Sequence, residues 1–433
     1  MTSLGLELVA LLCAVTALAS NIGAAIFHDG IRPLVPQIAS GHLSHRNAGS
    51  MAFGLSIGFI LSVGVSFTLA SGFLNPWLLF LPADIIGVVI ANRITATLVG
   101  GLWGVTVVVC FAFFDSALSS LSIDILLALK ELGRLVMPAI ALFPIIAASN
   151  QFGPRSGISV ALIALLSRLV ATALDSSYSE SVQLITGLLA YIAVIILNER
   201  QKGNQGISPT DCSSLLDTFK DNYRKIVRKI PLLCTIGALI AAATNIGVLA
   251  GSEVSTFALM EVNLATDELN NQVAVHQAAL GELVRGISFM PLIAMTALTT
   301  GVYGTVGMTF VFVVGYLSPN PQIAALLGAL TIGVEIALLG KISFVFTRFP
   351  IVKTAADNIR DALNTLMEFA LLIGGSIASF KMGETTGLSI FITIYMINEL
   401  LGRPILKIAI PIIASISTGL ILNLAFTLGV YGS

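Results

Sequence analysis

The chain has 433 residues, of which 56% are hydrophobic and only 10% are charged, and its mean hydropathy is +0.95. A soluble domain would carry about a quarter of charged residues, so this composition excludes one and indicates a polytopic membrane protein. The net charge of -1, without any stretch that mixes aromatic and basic residues, excludes nucleic acid as a partner.

The first half of the sequence contains a series of apolar runs. Some are shorter than the about 20 residues that a straight helix needs to cross the hydrocarbon, so we expect broken or re-entrant helices among them. The first run carries Glu7 and lacks a positive flank, so we expect it to be retained rather than cleaved as a secretion signal. The predicted segments are Leu4–Ile26, Ala52–Leu74, Trp77–Ala91, Ile94–Phe114, Val136–Ser149, Gly157–Leu174 and Val182–Leu197.

A basic linker divides the chain, and a second series of apolar runs follows it. The linker is expected to lie in the cytoplasm beside anionic head groups of the lipid bilayer. In the second series, the two prolines of Ser318–Pro321 predict a helix stop. The predicted segments are Ile230–Ala250, Ile287–Thr300, Gly304–Leu317, Gln322–Leu339, Asn364–Phe380, Thr386–Met396 and Ile408–Val430. We therefore predict a first repeat at 1–199, a linker at 200–229 and a second repeat at 230–433.

The second half repeats the first. Val15–Gly23 recurs as Leu239–Gly247, and a carboxylate follows both copies at the same distance, Asp29 in the first and Glu253 in the second. Three windows in the same order and at nearly constant spacing indicate an internal duplication. The other two matches are Leu69–Gly72 with Leu298–Gly301 and Ala148–Val160 with Ala378–Ile390.

The positions of Lys and Arg predict the orientation of the two copies, because basic residues in short loops stay on the cytoplasmic side. With the N terminus outside, only Lys130, Arg134 and Lys381 fall on the outer side. An odd number of crossings then separates the copies, and both termini lie outside. The predicted fold is an all-α polytopic membrane protein with two inverted-topology repeats of about seven segments each.

Inverted repeats suggest a function in transport across the membrane. Two copies related by a pseudo-two-fold axis in the membrane plane can exchange conformations, which exposes a site between them to each side in turn. This arrangement predicts a transporter of a small-molecule solute. The alternative, that the duplication only built a large inert bundle, leaves the intramembrane charges unexplained.

Charged residues inside apolar runs are the first candidates for a site, because an unpaired charge there costs at least about 2.5 to 3.5 kcal/mol. Glu282 and Arg285 are one helical turn apart, and a local salt bridge between them is the alternative to a functional role. Glu399 and Arg403 have the spacing of a surface pair. The charges within apolar runs are Asp84, Arg168, Glu335 and Glu368.

Pseudo-symmetry makes Asp29 and Glu253 the better candidates, since a carboxylate at the same point of each copy could act as a gate or a proton carrier. Glu282 and Glu399 complete the candidate set. We assign coupling to H+ or Na+ to Asp29, Asp84, Glu253 and Glu368. We assign solute contact to Asn21, Asn245, Arg285, Asn320 and Asn398.

Two further features suit moving parts. The glycines of 301–307 and the pair Gly374 and Gly375 allow helix breaks or close helix packing, of which packing is the safer interpretation. Asp124–Arg134 and Thr354–Leu366 are amphipathic and occupy matching places in the two copies. We expect them to be interfacial helices.

The sequence carries no enzyme signature that its context supports. Gly54–Gly58 fits G-x-S-x-G, but a nucleophile elbow needs a preceding strand, and the surroundings predict a helix. There is no P-loop motif and no metal-ligand pattern around His28, His42 and His45. The four cysteines form no disulfide framework. We expect neither catalysis nor a cofactor.

Several specific strings resemble the YhfT family of bacterial inner-membrane proteins over the whole chain. The resemblance implies a transporter, and the family's gene context, similar to small-molecule catabolic operons, implies a small polar nutrient. The matching strings are His28–Pro33, Ala52–Phe59, Leu78–Pro82, Ala250–Ser255, Gln277–Leu280, Tyr316–Pro321, Asp357–Arg360 and Leu401–Pro404.

A looser likeness is to the membrane component of ascorbate and galactitol phosphotransferase systems, which pair inverted repeats with amphipathic linkers in a dimeric elevator. This likeness implies a homodimer and elevator-like movement, and a soluble partner would have to supply phosphorylation domains. A third alternative is a membrane subunit that anchors or regulates a catabolic enzyme.

Overall fold

The computed structural model describes residues 3–174, 179–202, 209–260, 268–348 and 351–430, and these are almost entirely helical. The helices of the first copy are α1 Ser3–Asn21, α2 Leu34–Ala39, α3 His45–Phe59, α4 Ser66–Ser71, α5 Pro76–Val89, α6 Arg93–Ser119, α7 Ile125–Leu129, α8 Glu131–Ile140, α9 Phe143–Phe152, α10 Pro154–Ala173 and α11 Ser179–Lys202. A π-helical turn, Ile60–Val65, joins α3 to α4.

A linker helix and the second copy follow. The helices are α12 Pro209–Val227, α13 Ile230–Asn245, α14 Glu253–Met260, α15 Glu268–Thr300, α16 Phe310–Leu317, α17 Pro321–Arg348, α18 Ile351–Leu400 and α19 Ile410–Thr427. Seven helices within the described ranges are long and apolar enough to cross a membrane, or up to ten if each bent pair counts as one span. The predicted all-α polytopic membrane protein is confirmed.

The structure modifies two predicted segments. The run predicted at Gly304–Leu317 becomes helical only at Phe310, because Gly307 and Thr309 adopt φ of 57° and 73°, outside the helical region. The runs predicted at 364–380 and 386–396 belong to α18, which is broken at Gly383 and Glu384. The stop predicted at Ser318–Pro321 is present between α16 and α17.

The duplicated windows make equivalent contacts. The Asn21 side-chain amide donates to the carbonyls of Gly87 and Ile90 at the end of α5, at 3.1 and 2.5 Å. Asn245 makes the corresponding two bonds at the end of α16, at 3.0 and 2.7 Å. The two matched windows therefore have the same local structure at these asparagines. Their opposite orientation in the membrane stays a prediction.

Close helix packing also recurs in the two copies, between α1 and α6 in the first and between α13 and α17 in the second. Gly100 of α6 lies against α1, and a Cβ at this position would be 2.8 Å from the Cys13 carbonyl oxygen. Gly328 of α17 lies against α13 in the same way, with a Cβ expected 2.4 Å from the Gly237 carbonyl oxygen. Only glycine allows the backbones of these helix pairs to approach this closely.

We expect Gly328→Ala to destabilise the protein by about 1–3 kcal/mol, because the added methyl group forces apart two backbones that cannot yield locally. Thermal unfolding in detergent measures the change. The matched control is Gly333→Ala on the same helix, where the nearest atom to the new Cβ is 3.8 Å away. The control should be neutral or slightly stabilising, since alanine favours helices. Equal midpoints for both variants would contradict the packing argument.

Two large hydrophobic cores, together with two smaller clusters, hold the described helices together. Core 1 is formed mainly by buried residues of α1, α5, α6, α13, α16 and α17, with the C-terminal part of α15 and part of α12. Core 2 is formed mainly by α4, α7 to α11, α14, α18 and α19. Both cores thus contain helices of both copies, so the boundary between the cores is not the boundary between the copies.

The linker helix α12 packs into the protein. Phe219 and Ile226 are buried in core 1. The Asn222 amide donates to the carbonyls of Leu298 and Thr299 at the end of α15, at 2.9 and 3.0 Å. Lys229, just after α12, donates to the carbonyls of residues 22 and 23, immediately after α1, at 3.0 and 2.6 Å. Contact of the linker with lipid head groups stays a prediction.

Candidate functional site

The two copies exchange backbone hydrogen bonds at two places, which we call the first and second crossings. At the first crossing, the segment after α1 pairs with Tyr303, whose N–H donates to Ala24 and whose carbonyl accepts from Ile26, both at 3.0 Å. At the second, the segment after α13 pairs with Leu74 through bonds of 2.9 and 3.0 Å. Each crossing joins the segment after a helix of one copy, α1 or α13, to the segment before a helix of the other copy, α16 or α5.

A buried carboxylate holds the chain at the first crossing. Asp84 of α5 is fully buried and accepts hydrogen bonds from the Ser20 hydroxyl at 2.5 Å and from the Phe27 N–H at 2.8 Å. The His28 N–H is 3.4 Å away. These N–H groups lie in the non-helical segment after α1, so they need partners outside a helix, and Asp84 supplies one.

A second carboxylate contacts the other segment of the same crossing, the one that contains Tyr303. Glu335 of α17 is 4% exposed and accepts from the Tyr303 hydroxyl at 2.7 Å and from the Met308 N–H at 2.9 Å, both through Oε2. It therefore sits at the N-terminal end of α16, where free N–H groups favour a negative charge.

Glu282 plays the corresponding part at the second crossing. This side chain of α15 is fully buried and accepts from the Ser255 hydroxyl at 2.7 Å and from the Ser252 N–H. The Tyr316 hydroxyl accepts from the neighbouring Gly251 N–H at 2.9 Å. Each crossing thus contains at least one buried carboxylate bonded to unwound backbone.

The pseudo-symmetric carboxylates are each paired with an arginine. Asp29 lies 2.8 Å from Arg32, whose Nε also donates to the Ile26 carbonyl at 2.9 Å. Glu253 lies 3.4 Å from Arg285. The local salt bridge considered between Glu282 and Arg285 is not the pair that forms, because Glu282 turns toward the backbone of the second crossing.

Three aromatic side chains, Phe59, Trp77 and Phe289, lie between the two cores and are partly exposed; we call them the boundary aromatics. Phe59 and Trp77 are stacked with centroids 4.9 Å apart, and Trp77 meets Phe27 of the first crossing edge-on at 5.2 Å. Arg285 lies 5.0 Å above the ring of Phe289. Both crossings therefore reach the boundary between the cores.

The remaining predicted residues lie elsewhere. Asn320 accepts from the Ile323 N–H at 2.9 Å and caps α17. Asn398 bonds both backbone groups of Ile405, at 2.9 and 3.1 Å. These two side chains, like those of Asn21 and Asn245, form hydrogen bonds with backbone groups. The structure gives two further charged pairs, Glu399 with Arg403 at 2.6 Å and Glu368 with Lys407 at 3.6 Å.

Several residues at the crossings were not in the predicted site. Arg32 was expected in a cytoplasmic loop, yet its side chain is 3% exposed. Glu335 was recognised as an intramembrane charge but given no role. Tyr303 and Ser255 carried no signal, because their importance depends on which segments meet. In the described part of the chain, no group of three or more His, Cys, Asp and Glu side chains could hold a metal ion.

Comparison with known proteins gives one family. A family model described as YhfT, protein of unknown function, matches residues 5–431. The Escherichia coli (strain K12) protein described as uncharacterized protein YhfT is 44% identical over 426 residues, which cover 98% of this chain and 97% of the relative. No solved structure matches. The likeness to phosphotransferase membrane components is not shown by either match.

Proposed function

Since the chain belongs to the YhfT family, which is described only as a protein of unknown function, we propose its function from its geometry: it is a membrane transporter. It moves a small polar or anionic solute by alternating access, with an elevator-like displacement of core 1 along core 2, coupled to a gradient of H+ or Na+. The observation that carries this proposal is the position of the crossings, in core 1 and in contact with the boundary aromatics.

Two separate hydrophobic cores support a relative movement. Packed cores do not deform continuously, but two packed bodies can slide past each other at a partly exposed boundary. Because each core contains helices of both copies, exchanging the conformations of the copies would move one core relative to the other. A solute bound at the first crossing, whose paired segments lie in core 1, would move with core 1.

The solute-binding groups proposed are those that reach the boundary. Arg285 and Glu253 are 20% and 17% exposed, so they are accessible without being fully solvated. An arginine can bind a carboxylate or phosphonate group through two parallel hydrogen bonds, and the aromatic faces would cover apolar parts of the solute. Asp29, which is 44% exposed beside Arg32, provides the equivalent pair at the first crossing.

Uptake into liposomes tests the proposal. The purified protein is reconstituted and offered sugars, sugar acids, amino acids and phosphonates under imposed H+ or Na+ gradients. We expect uptake of at least one class. We expect Asp29→Asn and Glu253→Gln to lose at least about tenfold of it, since each removes a charge from a pair at a crossing.

The matched control is Glu180→Gln, which removes an acid–arginine pair of the same kind in core 2, with Arg168 at 2.8 Å. This variant should transport like the original protein. If the folded protein moves no solute under either gradient, the proposal of secondary transport is wrong. Partner-dependent group translocation, or a role as a membrane subunit for a catabolic enzyme, then becomes the better account.

The proposal extends to the placement of the molecule. We place it in the bacterial inner membrane, with both termini on the periplasmic side, the two copies in opposite orientations, and two chains forming a homodimer. The two copies make equivalent contacts, and the odd number of membrane spans predicted between them supports the opposite orientations.

A further inference from the structure

The nine residues before α16 form an unusual segment. Residues 301–309 are not helical, yet all nine are buried. Irregular backbone at membrane depth is tolerated where it is enclosed by protein or lines a binding site, since its polar groups need partners. In this segment, the hydroxyls of Thr305 and Thr309 are buried at 2% and 1% exposure of their residues, and no hydrogen-bond partner for either oxygen occurs in the described ranges.

Thr309 occupies the N-cap position of α16 in an unfavourable conformation. An N-cap threonine normally has extended backbone, and its hydroxyl accepts an N–H of the first helical turn. Thr309 instead has φ of 73°, which is strained for a β-branched residue, and its side chain makes no capping bond. Glu335 accepts from the adjoining Met308 N–H, and the buried Thr309 hydroxyl has no hydrogen-bond partner among the described residues.

Glu335 has one unused oxygen. Its Oε2 accepts from Tyr303 and Met308, whereas Oε1 is buried and has no partner among the residues described. Asp84 has Arg32 close enough for electrostatic interaction, and Glu282 has Arg285. No salt bridge to a described Lys, Arg or His serves Glu335. A buried carboxylate without a cationic partner is costly, so a bound cation would offset the cost.

We propose that Glu335 Oε1 and the hydroxyls of Thr305 and Thr309 form a binding site for a sodium ion. One carboxylate with neutral hydroxyls supplies hard oxygen ligands and a single negative charge, which suits a monovalent hard cation better than Ca²⁺ or Zn²⁺. The negative charge of Glu335, whose Oε2 accepts from the Met308 N–H, would offset the positive end of α16 near the ion. The role of this ion in coupling rests on the proposed transport, whereas its binding does not.

Binding of radioactive ²²Na⁺ to the purified protein in lipid nanodiscs tests the site. We expect one ion per chain, displaced by unlabelled NaCl and not by choline chloride. Glu335→Gln should weaken binding at least about a hundredfold, and Thr305→Val about tenfold, since they remove the charge and one ligand. The matched control is Thr331→Val on the same helix α17, whose hydroxyl already bonds the Leu327 carbonyl at 2.8 Å. It should bind like the original protein.

A second measurement covers the case in which Glu335→Gln does not fold. NaCl should raise the unfolding midpoint of the original protein above that in choline chloride at equal ionic strength, and Thr305→Val should reduce this shift. Absence of Na⁺ binding by the original protein overturns the proposal, as does unchanged binding in both site variants. Na⁺ binding without uptake of any solute would retain the site and remove transport. Proton-driven uptake without Na⁺ binding would support transport and overturn the sodium site.

Discussion

Asp84→Asn should lower the stability of the protein by about 1–3 kcal/mol for each buried donor that loses its acceptor. Asp84 accepts from Ser20 and from two N–H groups just after α1, and it is fully buried. Asparagine has one acceptor oxygen, and its NH₂ group must then face a donor. The unfolding midpoint in detergent and the yield of folded protein are the measurements.

An exposed carboxylate provides the comparison for Asp84. Asp221 pairs with Arg224 at 3.2 Å, and both side chains are about 70% exposed. Asp221→Asn should change stability by less than about 1 kcal/mol, because exposed ion pairs contribute little. An Asp84→Asn protein as stable as Asp221→Asn would show that Asp84 does not hold the first crossing together.

Arg32→Gln should also lower the stability of the protein strongly. Adding Asp29→Asn to this variant should recover part of the lost stability. The Arg32 guanidinium bonds the Ile26 carbonyl and lies 2.8 Å from Asp29, so its removal leaves a carbonyl and a carboxylate without their partner. We expect a coupling energy of about 1–3 kcal/mol between the two substitutions, as measured by unfolding of the four proteins in a double-mutant cycle.

The matched cycle uses Arg403 and Glu399, which lie at a similar distance of 2.6 Å but with the arginine 52% exposed. Its coupling should be clearly smaller than that between Arg32 and Asp29, because exposed ion pairs contribute little to stability. If the two cycles give equal couplings, burial of Arg32 contributes nothing to its pair with Asp29, and its place at the first crossing is incidental.

The sequence predicts local structure well in this chain because local structure depends on neighbouring residues. Asn21 and Asn245 occupy equivalent positions in the duplicated windows, and each donates to carbonyls at the end of a neighbouring helix. The prolines of Ser318–Pro321 end a helix wherever they occur, since they lack an N–H donor.

The crossings could not be predicted in this way, because they depend on which segments meet in space. Matched windows show that two segments are alike, but Leu74 pairs with the other copy rather than with its own. Arg32 illustrates the same limit. Its neighbours in sequence resemble a polar loop, and only the fold encloses it. The partner of Arg285 proved to be Glu253, 32 residues away in sequence, rather than Glu282 one turn away.

The helix α12 makes the two crossings unequal. Asn222 and Lys229 fasten the ends of α15 and α1 beside the first crossing, whereas the second crossing is fastened by Glu282 and Tyr316. Two conformations that interchange the roles of the copies would therefore differ in free energy, although the backbone exchange is the same. Under the proposed transport mechanism, such a molecule would have a preferred resting state. The bonds of α12 would set that preference, so substitutions in the linker should change the balance between the proposed states.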